Sequence, residues 1–168
     1  MIRRLLGRCC AAALFVVTAG RVRGRRFILV PPFTLKVHGS GRVLIGDDVM
    51  VARGARLVAR DAELALGDRT FISQNVTLVA FAPLMIGEGT LIGENCSVHT
   101  ENHGPPGARD DFSMAPITVG RDVWLGSGVA VLPGSRVGDG ATVGANAVVR
   151  GDLERGGTYV GVPARRVR

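Results

Sequence analysis

Residues 119–149 read VGRDVWLGSGVAVLPGSRVGDGATVGANAVV, and the stretch carries a period of six. An aliphatic residue leads each unit, Gly often follows, the fifth position is small and the rest are free. Val119, Leu125, Val131, Val137, Val143 and Val149 are the leaders here. Outward from this stretch the same unit begins at Ile45, Val51 and Leu57, at Leu66, Ile72 and Leu78, and at Ile86, Ile92 and Val98. All 15 leading positions are Leu, Ile or Val, although these three types make up only 45 of the 168 residues, so chance does not supply the pattern. Eight second positions are Gly: Gly46, Gly67, Gly87, Gly93, Gly120, Gly126, Gly138 and Gly144. Twelve fifth positions are Val, Ala, Thr, Ser or Cys; the exceptions are Asp61, Asn102 and Leu153.

The breaks in the repeat are informative. Residues 63–65, 84–85 and 104–118 interrupt it, each after three complete units. Three units are therefore one coil of 18 residues, with three short strands and three turns. That is a triangular parallel β-helix, an all-β fold. The leading aliphatic points inward and stacks on its copy in the next coil. Gly after it lets the backbone turn without steric cost, and the small fifth residue fits a crowded corner. Insertions can leave only at corners. Five coils at about 4.8 Å spacing make a prism roughly 24 Å long. Residues 27–168 are expected to be this single domain, with a long loop at 104–118 and a C-terminal tail at 155–168.

Composition agrees. Apolar residues make up 46% and charged ones 21%, which excludes a disordered chain. Aromatics are only 5% while Gly reaches 24 residues, so the core is aliphatic and the backbone turns often. The net charge of +7 resides in residues 1–26, which hold seven Arg (Arg3, Arg4, Arg8, Arg21, Arg23, Arg25 and Arg26) and no acid. The remainder is neutral, which argues against a nucleic-acid partner, since that needs a basic folded body with stacking aromatics.

Within the basic segment, residues 9–19 (CCAAALFVVTA) are too short an apolar run to span a bilayer. A short helix lying on an anionic membrane surface is the expected form. A signal peptide and a terminal packing helix compete with it. Arginines directly after the apolar run count against export. Cys9, Cys10 and Cys96 give no disulfide framework and no CxxC, which points to a reducing, cytoplasmic setting, with peripheral contact at the inner membrane face.

Chemistry is expected where the repeat is interrupted. His99 and His103 stand at the root of the one long loop, and His38 is the only other His. One of the pair as general base is one reading. A metal site with Cys96 is another, set back by the inward fifth position of Cys96. Plain polar corner residues are a third.

Beyond these spacings, ENHGPPG (101–107), VGRDVWLGSGVAVLPG (119–134), VGDGATVGANAVV (137–149) and VGVPAR (160–165) resemble the hexapeptide-repeat sugar and xenobiotic acetyltransferases, above all those of polysaccharide and lipopolysaccharide assembly. The resemblance covers roughly residues 45–166. It implies left-handed coils, a homotrimer, acetyl-CoA as acyl donor without a metal, and a sugar hydroxyl as acceptor. It also implies His103 as general base, the backbone amide of Ser127 as oxyanion donor, and a pantetheine arm along Gly126, Ser127 and Ala145, with Arg165 near the phosphates. Trp124 would lie beside acceptor or thiol. The acceptor positions of the galactoside and maltose enzymes fall on Ser73 and Phe81, with Asn75 a further contact. These differ from the Asn and acid usual there, so the acceptor identity does not carry over. A xenobiotic acetyltransferase and a non-catalytic β-helix scaffold are the competing functions.

Overall fold

The computed structural model describes residues 22–23, 26–104 and 112–168. The chain winds coil upon coil. The first coil carries β1 (Val22–Arg23), β2 (Phe27–Leu29) and β3 (Thr34–His38). The second carries β4 (Arg42–Ile45), β5 (Val49–Val51) and β6 (Arg56–Arg60), and the third β7 (Glu63–Leu66), β8 (Phe71–Ile72) and β9 (Thr77–Ala80). The fourth has β10 (Leu84–Ile86), β11 (Leu91–Ile92) and β12 (Ser97–His99), after which β13 (Glu101–His103) and β14 (Phe112–Met114) form an antiparallel pair. The fifth has β15 (Ile117–Val119), β16 (Trp124–Leu125) and β17 (Ala130–Val131). The sixth has β18 (Arg136–Val137), β19 (Thr142–Val143) and β20 (Val148–Val149). A partial seventh ends the molecule with β21 (Asp152–Leu153), β22 (Thr158–Val160) and β23 (Arg165–Arg166).

Each coil gives one strand to each of three faces. Face I is β1-β4-β7-β10-β15-β18-β21, face II is β2-β5-β8-β11-β16-β19-β22-β23, and face III is β3-β6-β9-β12-β17-β20. Neighbours are parallel except β22–β23. The fold is a left-handed β-helix.

Register follows the repeat. Leu57 pairs with Leu78, Leu78 with Val98, Val98 with Val131, and Val131 with Val149. All fifteen leading residues are buried, so the inward stack expected from the sequence is the core. Each such side chain contributes about 1.5–3 kcal/mol on leaving water. All three breaks in the repeat fall between a face III strand and the next face I leader: 63–65 and 84–85 open β7 and β10, and 104–118 runs from the end of β13 into β15.

Several expectations are revised. Six complete coils are present rather than five, because the first coil, 22–38, keeps the six-residue spacing only at Leu29 and Leu35, opposite Val51 and Leu57. Its inward residues Phe27 and Leu29 are nevertheless buried. The stack also starts before residue 27, since Val22 pairs with Val43. Residues 22–23 are strand, not helix; the expected helix over the rest of 1–21 lies outside the described residues. Among the described residues no helix is long and apolar enough to cross a membrane. The interruption begins at Thr100 rather than residue 104, because β13 has already left the prism to pair with β14. The tail is structural: Tyr159 and Ala164 are buried, and Leu153 takes the inward place opposite Val137.

The glycines in second position serve a different purpose from the one expected. None of the eight is among the residues with positive φ. They are needed because the next coil lies too close for a side chain. A Cβ on Gly87 would sit 2.4 Å from the Gly120 backbone, and one on Gly67 2.5 Å from Glu88 N. The turn is made two residues later, in fourth position, where Asp48, Arg69, Asn75, Asn95, Asp122 and Asn146 adopt the left-handed conformation. Asn and Asp tolerate it better than other side-chain-bearing residues.

Candidate active site

His103 stands on the arm that leaves corner III–I. The arm is held at its root by Thr100, which is fully buried. The Thr100 hydroxyl accepts hydrogen bonds from Phe81 N (2.8 Å) and Ala82 N (3.0 Å) and donates to Val79 O (3.3 Å). Thr100 O accepts from Ala115 N at 2.9 Å, which closes the base of the arm. A single buried hydroxyl thus ties the third coil to the segment carrying His103, and nothing in the repeat singles it out.

The His103 ring is exposed and meets the Phe112 ring edge-on at 4.9 Å. Phe112 in turn lies 5.6 Å from Phe81, and the Arg60 guanidinium stands 5.5 Å over Phe81. Phe81 and His103, both expected at the site, are therefore brought together through Phe112. Phe112 and Arg60 were not foreseen. Strand alternation places 99, 101 and 103 on one side, and His99 Nδ1 lies 3.0 Å from Glu101 Oε1. The other carboxylate oxygen of Glu101 is buried without a hydrogen-bond partner.

Ser127, Gly126 and Ala145 occupy corner II–III, one prism edge away, as do Ser73 and Asn75. One hexad separates the two corners, roughly 15 Å along a strand and its turn. Within one chain the structure does not bring Ser127 to His103, nor Ser73 to Phe81. Asn75 makes the turn of its coil at φ 57° and hydrogen-bonds Asn95 at 3.3 Å. Ser73 N is spent on Ile92 O.

The Ser127 amide shares a property with the matching amides of Arg53, Gln74, Glu94 and Ala145 along this corner: none has an acceptor among the described residues. Gly126 N and Gly128 N donate to Val143 O (2.7 Å) and Glu94 O (2.8 Å), whereas Ser127 N has no acceptor among the described residues. At corner I–II the matching amide, Arg121 N, is taken by Asp139 Oδ1 at 2.8 Å. Ala145 stands where Asp139 stands in that hexad, and it has no carboxylate to offer. That Arg121 amide hydrogen bond, with the Arg121 and Arg155 charges, holds the Asp139 carboxyl below its ordinary value. A hollow of about 380 Å³ lies there, lined by Arg121, Asp122, Asp139, Arg155 and two glycines, away from both corners discussed above.

Above Ala145 the same edge continues to the C-terminal strand. Gly144 approaches Val160, Gly161 O accepts from Val148 N, and Arg165 pairs with Val160. Gly126, Ala145 and Arg165 therefore follow one another up a single edge, with Arg165 exposed at its end. Trp124, beside this edge on face II, is 55% exposed. Cys96 is buried and donates its thiol to Gly126 O at 3.1 Å; burial pushes its pKa up. No group of three or more potential metal ligands occurs among the described residues.

A prism of such hexads defines a hexapeptide-repeat protein. Residues 116–151 match the family model described as bacterial transferase hexapeptide (six repeats). WbbJ of Escherichia coli, described as a lipopolysaccharide biosynthesis O-acetyl transferase, is 31% identical over 81% of this chain and 76% of its own. The galactoside O-acetyltransferase of Escherichia coli is 31% identical over 64% of this chain and 54% of its own. AntD of Bacillus cereus, an N-acyltransferase solved with a dTDP-amino sugar and coenzyme A, superposes with a TM-score of 0.77 at 18% identity, over 91% of this chain and 86% of AntD. The chain belongs to the hexapeptide-repeat acetyltransferase family and is an acyltransferase.

Proposed function

We propose that this protein transfers an acetyl group from acetyl-CoA to a hydroxyl of a sugar in a surface polysaccharide or glycolipid, and that it does so as a homotrimer. The observation carrying this reading is the edge itself, which runs from the open Ser127 amide past Ala145 to the exposed Arg165, beside the exposed Trp124. The extended pantetheine arm fits along that edge, and Arg165 faces the phosphates. His103 removes the proton from the acceptor hydroxyl as its oxygen bonds to the thioester carbon. The carbonyl oxygen becomes an oxyanion held by Ser127 N–H. On collapse the carbon–sulfur bond breaks, and the proton on His103 passes to the departing thiolate.

His103 and Ser127 stand at different corners, so the reading requires a neighbouring chain to bring the second corner to the first. Face II supports such packing. Ile28, Met50, Phe71, Leu91 and Trp124 align in register up its outer side, with Leu91 41% exposed. WbbJ and the galactoside enzyme, by their names, point to a sugar acceptor.

The test is release of free thiol from acetyl-CoA across a panel of sugars. Sugar-dependent release is expected. Thiol release that no sugar stimulates, with the chain folded, would overturn the sugar-acceptor reading.

A further inference from the structure

The three outer faces differ in character. Face I pairs its charges, as in Arg42–Glu63 at 3.2 Å, and face II is apolar. Face III is basic. The outward positions of β3 are Thr34, Lys36 and His38; those of β6 are Arg56, Val58 and Arg60; those of β9 are Thr77 and Val79, with Val58 and Val79 buried between the polar and charged side chains. No strand of face III contains Asp or Glu. Among the described residues the exposed Lys36, Arg56 and Arg60 form no ion pair, although seven ion pairs of other Arg or His residues are present there. Asp61, next to Arg60 in the chain, is engaged by Ser40 N at 2.9 Å.

This face ends at the corner carrying His103. Arg60 stands at that end, over Phe81, and the stack continues through Phe112 to the imidazole in steps of 5.5, 5.6 and 4.9 Å. Each step is about the length of one sugar residue. The cations are also spread out. Arg56 and Arg60, four residues apart on one strand, are separated by roughly 13 Å. A phosphate is best held by several donors converging on one point. Dispersed single cations match single negative charges repeated along a chain.

We propose that the acceptor is an acidic glycan bearing carboxylates, which lies across face III with one carboxylate at Arg60 and its accepting sugar at His103. This rests on the acetyl-transfer reading for the reaction but not for the binding. Phe81, in place of an acid, then has a reason: an acid there would repel such a substrate, whereas the ring supports both Arg60 and the apolar face of a sugar.

The test uses the full chain and oligogalacturonate against neutral galactose oligomers of equal length. Retardation in gels containing polygalacturonate or dextran reads binding without turnover. The K36Q/R56Q/R60Q variant is expected to bind polygalacturonate at least tenfold more weakly than the native chain, while Arg136→Gln on face I is unchanged. The N-terminal arginines are common to all three proteins, so the difference reports face III. In the transfer assay the triple variant is expected to show a KM for oligogalacturonate raised about tenfold, the loss of one charge-assisted contact. Thermal melting confirms that the variant is folded. Equal retardation in both gels, an unaltered triple variant, or stronger competition by glucose 1-phosphate than by galacturonate would overturn the proposal. Retardation by polygalacturonate with no sugar acetylated would sink the acetyl-transfer reading and leave this one standing.

Discussion

At the scale of the residue, three positions decide whether the chemistry has been read correctly. His103→Ala is expected to lower kcat by about 100-fold or more, the usual scale for a general base, while acetyl-CoA binding persists. His99→Ala is expected to do much less, since its imidazole is occupied with Glu101, whereas the His103 ring is exposed. If His99→Ala is the inactive variant, the base has been misplaced. The second position is Ala145. Asp139 shows what a carboxylate does one coil above an unfilled amide: it takes the N–H. Ala145→Asp is therefore expected to occupy Ser127 N–H and cut kcat by roughly 10²–10³, the cost of one oxyanion donor. A crystal structure of the variant would show the new hydrogen bond directly. The third is Cys96, whose buried thiol keeps its proton. It is expected to resist a thiol reagent until the chain unfolds. Because its folded pKa lies above the unfolded one, its stabilising effect is complete below the ordinary thiol pKa and falls away as pH rises through the folded value.

At the scale of the element, the sequence exposed the repeat and concealed what departs from it. The leading aliphatics were legible because an inward side chain every sixth residue leaves a spacing signal. Asn75 and Asn146 carried a second signal, turn-forming residues in fourth position, which passed unnoticed beside the glycines. The first coil was illegible because only Leu29 and Leu35, the partners of Val51 and Leu57, keep the spacing there; two leaders with Pro31 and Pro32 between them make no visible repeat. At the site, His103 and Phe81 could be found from their place beside the break. Thr100, Phe112 and Arg60 could not, since each matters through a contact across coils or across the arm. Thr100→Val is expected to leave Phe81 N and Ala82 N without an acceptor, destabilising the fold by about 1–3 kcal/mol. Activity would fall with it, as the root of the arm shifts. Gly87→Ala has no such chemistry to lose, yet is expected to lower the melting temperature, because backbone 2.4 Å away cannot yield as a side chain could.

At the scale of the whole molecule, the proposed roles of His103 and Ser127, set at different corners, would make assembly a condition of activity. Light scattering is expected to give about three times 17.6 kDa. A sharper check mixes two dead chains. His103→Ala lacks one half of the site and Ala145→Asp the other, so trimers assembled from both are expected to recover activity that neither shows alone. No recovery in verified mixed trimers would place both halves in one chain. Residues 1–21 are expected to be dispensable for folding, whereas a cut at residue 26 removes β1 from the edge of face I. The shorter deletion is the proper one for asking whether the basic segment binds anionic vesicles. The melting temperature is expected to be kept, and unchanged cosedimentation would discard the membrane-surface expectation.

The last strand also decides how long the prism can become. A stack of parallel coils has no intrinsic length, since every uppermost rim offers bare amides and carbonyls to another copy. Here the chain doubles back. β23 runs antiparallel on β22, Thr158 N donates to Arg168 O, and Gly161 and Ala164 bond Val148 at the rim of face III. Two rims are thus sealed by a segment that cannot be extended in parallel, and the third ends in the charge of Asp152. Removing the residues after Val160 would uncap both sealed rims at once. Such a chain would be prone to end-to-end growth into filaments, with a mass that climbs with concentration instead of stopping at a fixed oligomer.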